Sequence, residues 1–376
     1  RRRPVHRQRE YHRRDHGNHQ KSHLRRHPPR APGLLPLCRP APPSATPAEA
    51  LPSPPPTPQV EVWFSYRFSI QFCHDLRNRL HLCLASAIMP GMFTAIAVHA
   101  RESLKDVEAF RRIVADLQQC SSIVALTPEA QNHVEGDFAG VDFHTEYDFF
   151  VVFGGDGSVL NIVHRMENWD VPLMPISAGT LGFLAEIPPE AFGDCCHKLA
   201  TKEFTIDTRA LFDVVHTDAA GKQTRFHALN EAVVSQRAVA RMVSLRALVN
   251  GEYLTTYRAD GVMVATPTGS TAYSLAAGGP IVYPRFDALI LTPVSPHSFT
   301  HRSLILPADK RITITQDETN REPVMLTIDG QITVPLEKGE QVEIGISAEK
   351  LKFLRMPEEH FLKTLKRKLH WGRNAV

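Results

Sequence analysis

A run of five apolar residues that ends in three closely spaced glycines constrains the fold of this chain more than any other feature. Residues 149–153 are aromatic or β-branched throughout, which predicts a strand buried on both faces of a parallel sheet. Gly154, Gly155 and Gly157 follow, and glycine turns freely through positive φ and lets a ligand approach the backbone. The helical spacing of the next apolar residues predicts a helix that Ser158 caps.

This order of strand, glycine turn and helix is typical of phosphate-binding loops. It aims backbone N–H groups and the positive end of the helix dipole at a bound anion. Asp156 places one carboxylate in the middle of the turn. A hairpin or loop turn in which Asp156 only caps the chain explains the same four residues, so the motif alone leaves both interpretations open.

Charge is distributed unevenly along the chain. The 376 residues carry a formal net charge of +3, but residues 1–40 hold eleven Arg and one Lys against two acidic residues, a net of +10. The rest of the chain is therefore acidic, and the basic composition does not indicate a nucleic-acid-binding body. Residues 1–60 hold fourteen of the 29 prolines. We expect residues 1–91 to be a disordered, dispensable extension; a transit peptide and a nucleic-acid arm remain open alternatives.

Cysteine usage and hydropathy bear on the compartment. The six cysteines show no metal-ligand spacing, and Cys195 and Cys196 are adjacent on a predicted helix, which excludes a C-x-x-C pair. No apolar run is long enough to span a bilayer. We therefore expect a reduced, cytoplasmic protein without a membrane partner.

Strands and helices alternate between residues 92 and 200. Predicted strands at 93–98, 120–126, 148–153 and 172–176, with a helix at 104–117, indicate a Rossmann-like, doubly wound α/β domain. Ligands of such domains bind beyond the carboxyl ends of the strands. Both the glycine turn and the 179–184 loop, which reads GTLGFL, come directly after predicted strands. We therefore expect them to meet at one edge of the sheet.

The pattern changes after residue 200. Short strands separated by turn signals predict a β-rich, sandwich-like domain over residues 201–355, and residues 356–376 are expected to form a C-terminal helix and tail. The predicted strands are 211–215, 224–229, 232–235, 245–249, 261–265, 311–315, 324–328 and 342–346.

Two groups of polar residues in this second domain are suited to a ligand. Asn230 and Glu231 place an amide beside a carboxylate, a pair that can bind a vicinal diol, although such pairs are usually turns. Thr268, Ser270 and Thr271 lie in a hydroxyl-rich turn whose hydroxyl and N–H groups can donate hydrogen bonds to phosphate or ribose oxygens. A capped, buried helix is the alternative interpretation of that turn.

Together these segments resemble the NAD kinase family. The resemblance extends from about residue 93 to residue 371 and rests on segments 154–157, 179–184, 230–231, 268–273, 278–280, 293–298 and 329–331. It implies an N-terminal α/β domain, a β-rich C-terminal domain, and a homodimer or homotetramer whose active site borrows a neighbouring subunit. Ala276 departs from the pattern, because many bacterial members carry serine at that position.

The resemblance also implies a reaction: the terminal phosphoryl group of ATP, or of polyphosphate, passes to the 2′-hydroxyl of the adenosine ribose of NAD. Asp156 is the implied catalytic residue. Mg²⁺ is expected to arrive with the nucleotide, without dedicated metal ligands in the chain. Residues implied to bind the donor phosphates are Gly154, Gly155, Gly157, Thr268 and Ser270. Residues implied to bind NAD are Gly157, Leu181, Phe183, Asn230, Glu231, Asp260, Thr271, Ala272, Tyr273 and Ala276.

Three other functions account for fewer of these residues. A lipid or sphingoid kinase shares the GGDG motif but needs an apolar acyl cavity, which the hydroxyl-rich turn does not suggest. A non-catalytic NAD-binding sensor has no need of Asp156. A nucleic-acid-binding protein would rest on the basic tail alone, without a fold motif. The sequence leaves open whether NAD or NADH is preferred, and whether the donor is ATP or polyphosphate.

Overall fold

The computed structural model describes residues 92–237, 242–320, 323–357 and 361–372. The predicted extension at residues 1–91 lies outside these described residues. The predicted domain boundaries near residues 200 and 355 stay predictions. No helix in the described part of the chain is both long and apolar enough to cross a membrane.

The described residues form six α-helices and seventeen β-strands. The helices are α1 (Val107–Cys120), α2 (Pro128–Gln131), α3 (Asp156–Val163), α4 (Phe192–Ala200), α5 (Tyr273–Ala276) and α6 (Phe361–Lys368). The strands are β1 (Phe93–Ala100), β2 (Ser121–Leu126), β3 (Ala139–Gly140), β4 (Phe149–Gly154), β5 (Leu173–Ser177), β6 (Thr205–Thr217), β7 (Gln223–Ala228), β8 (Glu231–Gln236), β9 (Val243–Val249), β10 (Glu252–Ala259), β11 (Gly261–Ala265), β12 (Ala288–Val294), β13 (Leu304–Pro307), β14 (Arg311–Gln316), β15 (Val324–Ile328), β16 (Ile332–Leu336) and β17 (Gln341–Arg355).

The first strands form a parallel sheet with helices on both faces. Its order is β3-β2-β1-β4-β5, and every pair in it is parallel. All six residues of β4 are buried. Phe149, Val151 and Phe153 pack into a core with α1 and α4, whereas Phe150 and Val152 pack into another core with α3. A central strand covered on both faces needs apolar residues at every position, so the prediction from this run is confirmed.

A local hydrogen bond determines where α1 begins. The Asp106 carboxylate accepts the N–H of Ala109 at 2.9 Å and caps the helix. The predicted start at residue 104 is therefore three residues too early, because the apolar pattern does not include the cap. The apolar face of α1, which includes Phe110, Ile113 and Leu117, is buried as predicted.

The long strand β17 joins the two halves of the described chain into one sheet. Its first part pairs antiparallel with β14 and β6, and Phe353 near its end pairs parallel with Leu173 of β5. A bulge between Ile346 and Lys350 separates the two parts. The predicted strand at 342–346 is thus only the first third of β17.

A second sheet packs against the β-rich end of the first. Its order is β13-β12-β11-β8-β15-β16, and all of its pairs are antiparallel. One apolar core contains residues of both sheets, among them Val214 and Ile344 from the first and Val234, Val264 and Leu326 from the second. The fold class predicted from the sequence, an α/β domain followed by a β-rich sandwich-like domain and a C-terminal helix, is confirmed.

Several strands are not predicted by the patterns described above: β3, β10, β12, β13 and β16. Two of them depart from simple alternation. β12 is almost entirely buried and contains Pro293, and β13 is a short strand at the edge of its sheet. Proline and short length both weaken a strand signal. Pro293 is tolerated because β13 pairs only with Ala288–Leu291 of β12.

Candidate active site

The glycine-rich turn joins β4 to α3 at the carboxyl edge of the parallel strands. Gly155 is the N-cap of α3, with φ −103°, and Asp156 is the first helical residue. Gly154, Gly155 and Gly157 all lie outside the left-handed region, so the expectation of positive φ is wrong for this turn. No side chain caps α3, and the cap predicted at Ser158 is also wrong.

Glycine serves this turn by leaving space. A methyl group at Gly154 would overlap the hydroxyl of Ser158. At Gly155 and Gly157 a methyl group would meet no atom within 4 Å, and Gly157 is exposed. The backbone at these two positions therefore faces open space into which an anion can approach the first N–H groups of α3.

The Asp156 carboxylate is held by the loop that follows β5. Its Oδ2 accepts the N–H of Phe183 at 2.9 Å, and its Oδ1 accepts the N–H groups of Leu184 and Ala185 at 3.0 Å each. Three backbone donors fix the orientation of this half-buried group. An ionised carboxylate has about four acceptor positions, so Oδ2 keeps one position that this loop does not fill.

Gly182 allows the loop to approach this closely. A methyl group at Gly182 would overlap Oδ1 of Asp156. Gly154 and Ser177 are paired at the ends of β4 and β5, and the N–H of Ala178 donates to the carbonyl of Gly154 at 3.0 Å. The prediction that the glycine turn and the 179–184 loop meet at one edge of the sheet is therefore confirmed.

Asp329 holds the Asn230–Glu231 segment in place. Its carboxylate accepts the N–H groups of Leu229, Asn230 and Glu231 at 2.8, 2.8 and 2.9 Å. The Nε2 of His164, the residue that ends α3, lies 3.1 Å from Oδ2 of Asp329. This contact links the helix that begins at the glycine turn to the start of β8.

Glu231 is a buried carboxyl group with an altered acidity. Burial raises the pKa of Glu231 most, and the nearby Asp329 carboxylate raises it further, to about 8. The backbone N–H of Tyr273 donates a hydrogen bond to Glu231, which lowers the pKa by a smaller amount. Its Oε2 has no hydrogen-bond partner among the described residues. At neutral pH Glu231 therefore carries a proton and can donate a hydrogen bond to a ligand oxygen.

The hydroxyl groups of the turn after β11 serve mainly the turn itself. Ser270 is fully buried, donates to the Pro267 carbonyl at 2.6 Å and accepts the N–H of Val282 at 3.0 Å. Thr271 donates to the carbonyl of Thr268 at 3.2 Å. The Ser270 hydroxyl therefore stabilises the turn, and its contact with phosphate stays a prediction.

Comparisons with known proteins agree with this geometry. Models of the ATP-NAD kinase N-terminal and C-terminal domains match residues 100–204 and 229–356. The NAD kinase of Sulfurimonas denitrificans is 38% identical over 229 residues, which cover 60% of this chain and 78% of that protein. The NAD kinase of Magnetococcus marinus is 36% identical over 227 residues, 60% of this chain and 74% of that protein. The chain belongs to the NAD kinase family.

Two solved structures are similar to the described fold. One is yeast NADH kinase complexed with NADH, with a TM-score of 0.68 and 23% identity, covering 75% of this chain and 89% of that one. The other is an NAD kinase from Archaeoglobus fulgidus in complex with ATP, with a TM-score of 0.58 and 25% identity, covering 74% of this chain and 99% of that one. The likeness to the yeast enzyme is one of fold.

Several residues that NAD kinase membership implies for NAD binding lie close together. Glu231 at the start of β8 faces the backbone of Tyr273, which is exposed at the start of α5. Thr271 and Ala272 are half-buried in the same turn, and Ala276 is exposed at the end of α5. A methyl group at Gly269 would overlap the Asn230 carbonyl, so the turn packs directly on the Asn230–Glu231 segment.

Leu181 and Phe183 lie beside α6. Leu181 lines a cavity of about 690 Å³ together with Lys105, Arg367 and Lys368. The Phe183 ring lies 5.6 Å from Nζ of Lys368 and 6.3 Å from the ring of Phe361. These two side chains are thus half-buried at the surface of the loop, whereas the backbone of the loop holds Asp156.

Asp260 lies far from the other residues of the same chain that are predicted to bind NAD. It precedes β11, whereas the hydroxyl-rich turn follows that strand, and β11 spans about 16 Å. The pairing of Glu231 with Ala265, and of Ser235 with Gly261, places Asp260 at the opposite end of β8 from Glu231. Its Oδ1 accepts a hydrogen bond from Gln236 at 3.1 Å. One chain alone does not bring Asp260 to this site.

Sequence reasoning assigned no role to several residues at this site. Asp329 holds the Asn230–Glu231 segment although it lies about 100 positions away in the sequence, and His164, which contacts Asp329, lies about 65 positions away. In the sequence, only the resemblance of segment 329–331 to the family indicated that Asp329 matters. Arg209 contacts the hydroxyl-rich turn at Thr268, and Arg355 contacts the 179–184 loop at Leu184. Each is a single charged residue on a strand, and no local pattern distinguishes such a residue from a surface position.

Proposed function

We propose that this NAD kinase transfers the terminal phosphoryl group of ATP to the 2′-hydroxyl of the adenosine ribose of NAD, with Asp156 accepting or orienting the hydroxyl proton. The observation that supports this role best is the Asp156 carboxylate itself. Three backbone N–H groups fix it beside an open glycine turn, and Oδ2 keeps one free acceptor position. A general base needs a fixed orientation and hydrogen-bond reach of its proton.

Phosphoryl transfer requires positioning and charge stabilisation more than covalent chemistry by the protein. The open backbone at Gly155 and Gly157 offers N–H groups to the transferred phosphoryl group. Mg²⁺ that arrives with the donor would be held mainly by the donor phosphates and by water, and it would neutralise part of their charge. Among the described residues no group of three or more His, Cys, Asp and Glu side chains is arranged as a metal site.

The dinucleotide is proposed to lie along β8 and the hydroxyl-rich turn. Asn230 offers an amide, and protonated Glu231 offers a hydrogen-bond donor through its unpartnered carboxyl oxygen. The exposed Tyr273 ring provides a flat surface at the same place. Together these groups suit a ribose and the aromatic ring that it carries.

We propose that the active enzyme is a homodimer or homotetramer in which Asp260 of a second copy completes the dinucleotide site. The support is the position of Asp260, at the far end of β11 from the other proposed NAD-binding residues of its own chain. A two-fold interface brings the same residues of two copies together, so each copy can supply what the other lacks.

The direct test is formation of NADP. The full-length protein is incubated with NAD, ATP and Mg²⁺, and NADP is measured with an NADP-specific dehydrogenase. Parallel reactions replace NAD with NADH, and ATP with polyphosphate, to establish acceptor and donor. We expect NADP to accumulate in proportion to enzyme concentration. Formation of ADP without NADP, or no turnover with any pair of substrates, would contradict the proposed function.

A further inference from the structure

A cluster of buried charges lies next to the proposed reaction centre, in a cavity of about 260 Å³. We call it the arginine cavity. Three arginines and two acidic residues line it, and all except Arg285 are at most 8% exposed. The charged residues of the arginine cavity are Glu186, Asp207, Arg209, Arg285 and Arg355.

Arg355 is incompletely paired within this cavity. Its Nη1 donates to the carbonyl of Leu184 at 2.9 Å and lies 3.2 Å from Oε2 of Glu186. Its Nε is 3.8 Å from Oδ2 of Asp207, which is too far for a hydrogen bond. Nε and Nη2 have no hydrogen-bond partner among the described residues, although the side chain is only 6% exposed. Buried donors of a charged group that lack a partner are costly, and a bound anion would satisfy them.

The other arginines are directed toward the same acidic residue. Arg209 donates through Nε to Oδ2 of Asp207 at 2.8 Å, and Arg285 donates through Nε to Oδ1 at 3.1 Å. The guanidinium groups of Arg209 and Arg355 both lie over the Phe353 ring, at 5.8 and 4.6 Å from its centre. Among the described residues that line the cavity, three guanidinium groups therefore face two carboxylates.

The arginine cavity adjoins both loops of the proposed reaction centre. Arg355 contacts the carbonyl of Leu184, and the N–H of Leu184 donates to Asp156. Arg209 lies at 3.5 Å, through Nη1, from the hydroxyl of Thr268 in the hydroxyl-rich turn. An anion bound to Arg355 would therefore lie next to the loop whose backbone orients Asp156.

We propose that the arginine cavity binds the phosphate chain of the phosphoryl donor, with the unpartnered Nε and Nη2 of Arg355 contacting phosphate oxygens and Arg285 adding positive charge at the exposed side of the cavity. This inference rests on the proposed function. Guanidinium forks bind phosphate in a bidentate manner, and fixed cations next to the transferred phosphoryl group stabilise the charge of its transition state. The donor carries more phosphate charge than NAD does, so it is the substrate that the unpartnered donors of Arg355 suit best.

The test uses Arg285→Gln in the full-length chain, with Arg225→Gln as a matched control. The two arginines are similarly exposed, at 58% and 63% of the side chain, and each pairs with one mostly buried aspartate. Inorganic tripolyphosphate is titrated calorimetrically without NAD, and KM is measured for ATP and for NAD. We expect Arg285→Gln to weaken tripolyphosphate binding and to raise the KM for ATP roughly tenfold to a hundredfold, the effect of one lost charge-assisted hydrogen bond.

Arg355 provides a second, independent variant. Arg355→Lys keeps the charge but loses the fork, so we expect it to weaken tripolyphosphate binding while circular dichroism shows a folded protein. The control Arg225→Gln should match the wild type. Absence of tripolyphosphate binding, equal losses in Arg225→Gln, or a rise in the KM for NAD instead of ATP would overturn the proposal. An unchanged KM for ATP with normal NADP formation would refute the arginine cavity alone, whereas Arg285-dependent tripolyphosphate binding without NADP formation would refute only the proposed kinase reaction.

Discussion

Glu231 and Asp329 place two carboxyl groups side by side beneath the proposed dinucleotide site, and Asp329 accepts hydrogen bonds from three backbone N–H groups. Backbone N–H groups and His164 surround Asp329, whereas Oε2 of Glu231 has no partner in the described part of the chain. Burial and this neighbour raise the pKa of Glu231 from 4.5 to about 8. The native protein therefore keeps a proton on Glu231 at pH values where the unfolded chain has lost it.

This proton makes stability depend on pH in a defined direction. Because the folded pKa of Glu231 is raised, its contribution is fully present below pH 4.5 and is lost as the pH rises through about 8. We expect Glu231→Gln, which stays neutral, to remove this dependence. The melting temperature of the wild type relative to the variant should fall between about pH 5 and about pH 8 and stay level above that range. Parallel melting curves across that range would show that Glu231 titrates normally.

The backbone of the loop between β5 and α4 holds Asp156. Gly182 allows this loop to approach the Asp156 carboxylate closely. We expect Gly182→Ala to push the loop away from Asp156, since the new methyl group would overlap Oδ1. The variant should lose about 1–3 kcal/mol of unfolding free energy and lower kcat, because the N–H groups of Phe183, Leu184 and Ala185 lose their acceptor.

Gly193→Ala is the matched control for this prediction. Gly193 lies in α4, and a methyl group there would meet no atom within 4 Å. Alanine within a helix stabilises by about 0.5–1 kcal/mol relative to glycine, so this control should be at least as stable as the wild type. If both variants behaved alike in thermal melting and turnover, the loop would not depend on its close approach to Asp156.

The hydrophobic patterns of individual strands and helices predicted the core of the fold. They did not predict contacts between residues that are far apart in the sequence. The apolar run of β4 predicts a buried strand from local sequence alone, because a central parallel strand needs apolar residues on both faces. Asp329 carries no comparable signal, since its partners lie about 100 residues away in sequence. The sequence did not show the burial of Ser270 or the distance of Asp260 from Glu231 for the same reason: burial of a hydroxyl and the direction of a strand depend on tertiary packing.

At the scale of the whole molecule, β17 joins the α/β and β-rich parts into one continuous sheet, yet Asp260 stays remote from the proposed site of its own chain. If a second copy supplies Asp260, two inactive variants should complement each other. We expect Asp156→Asn and Asp260→Asn, co-expressed, to recover about one quarter of the wild-type rate, because random two-fold pairing gives half mixed dimers with one intact site each. No recovery in dimers shown to be mixed would mean that each chain forms its site alone.

The most direct test of the account is the turnover of Asp156→Asn at saturating NAD and ATP. All three partners of this carboxylate are N–H donors, so asparagine also loosens the loop, and Gly182→Ala serves as the reference that loosens it while keeping the carboxylate. We expect kcat of Asp156→Asn to fall by roughly 10²–10⁴, the contribution of a positioned proton-transfer group, and to lie at least about tenfold below that of Gly182→Ala. A kcat within about threefold of the wild type, or equal to that of Gly182→Ala, would contradict the catalytic role of Asp156.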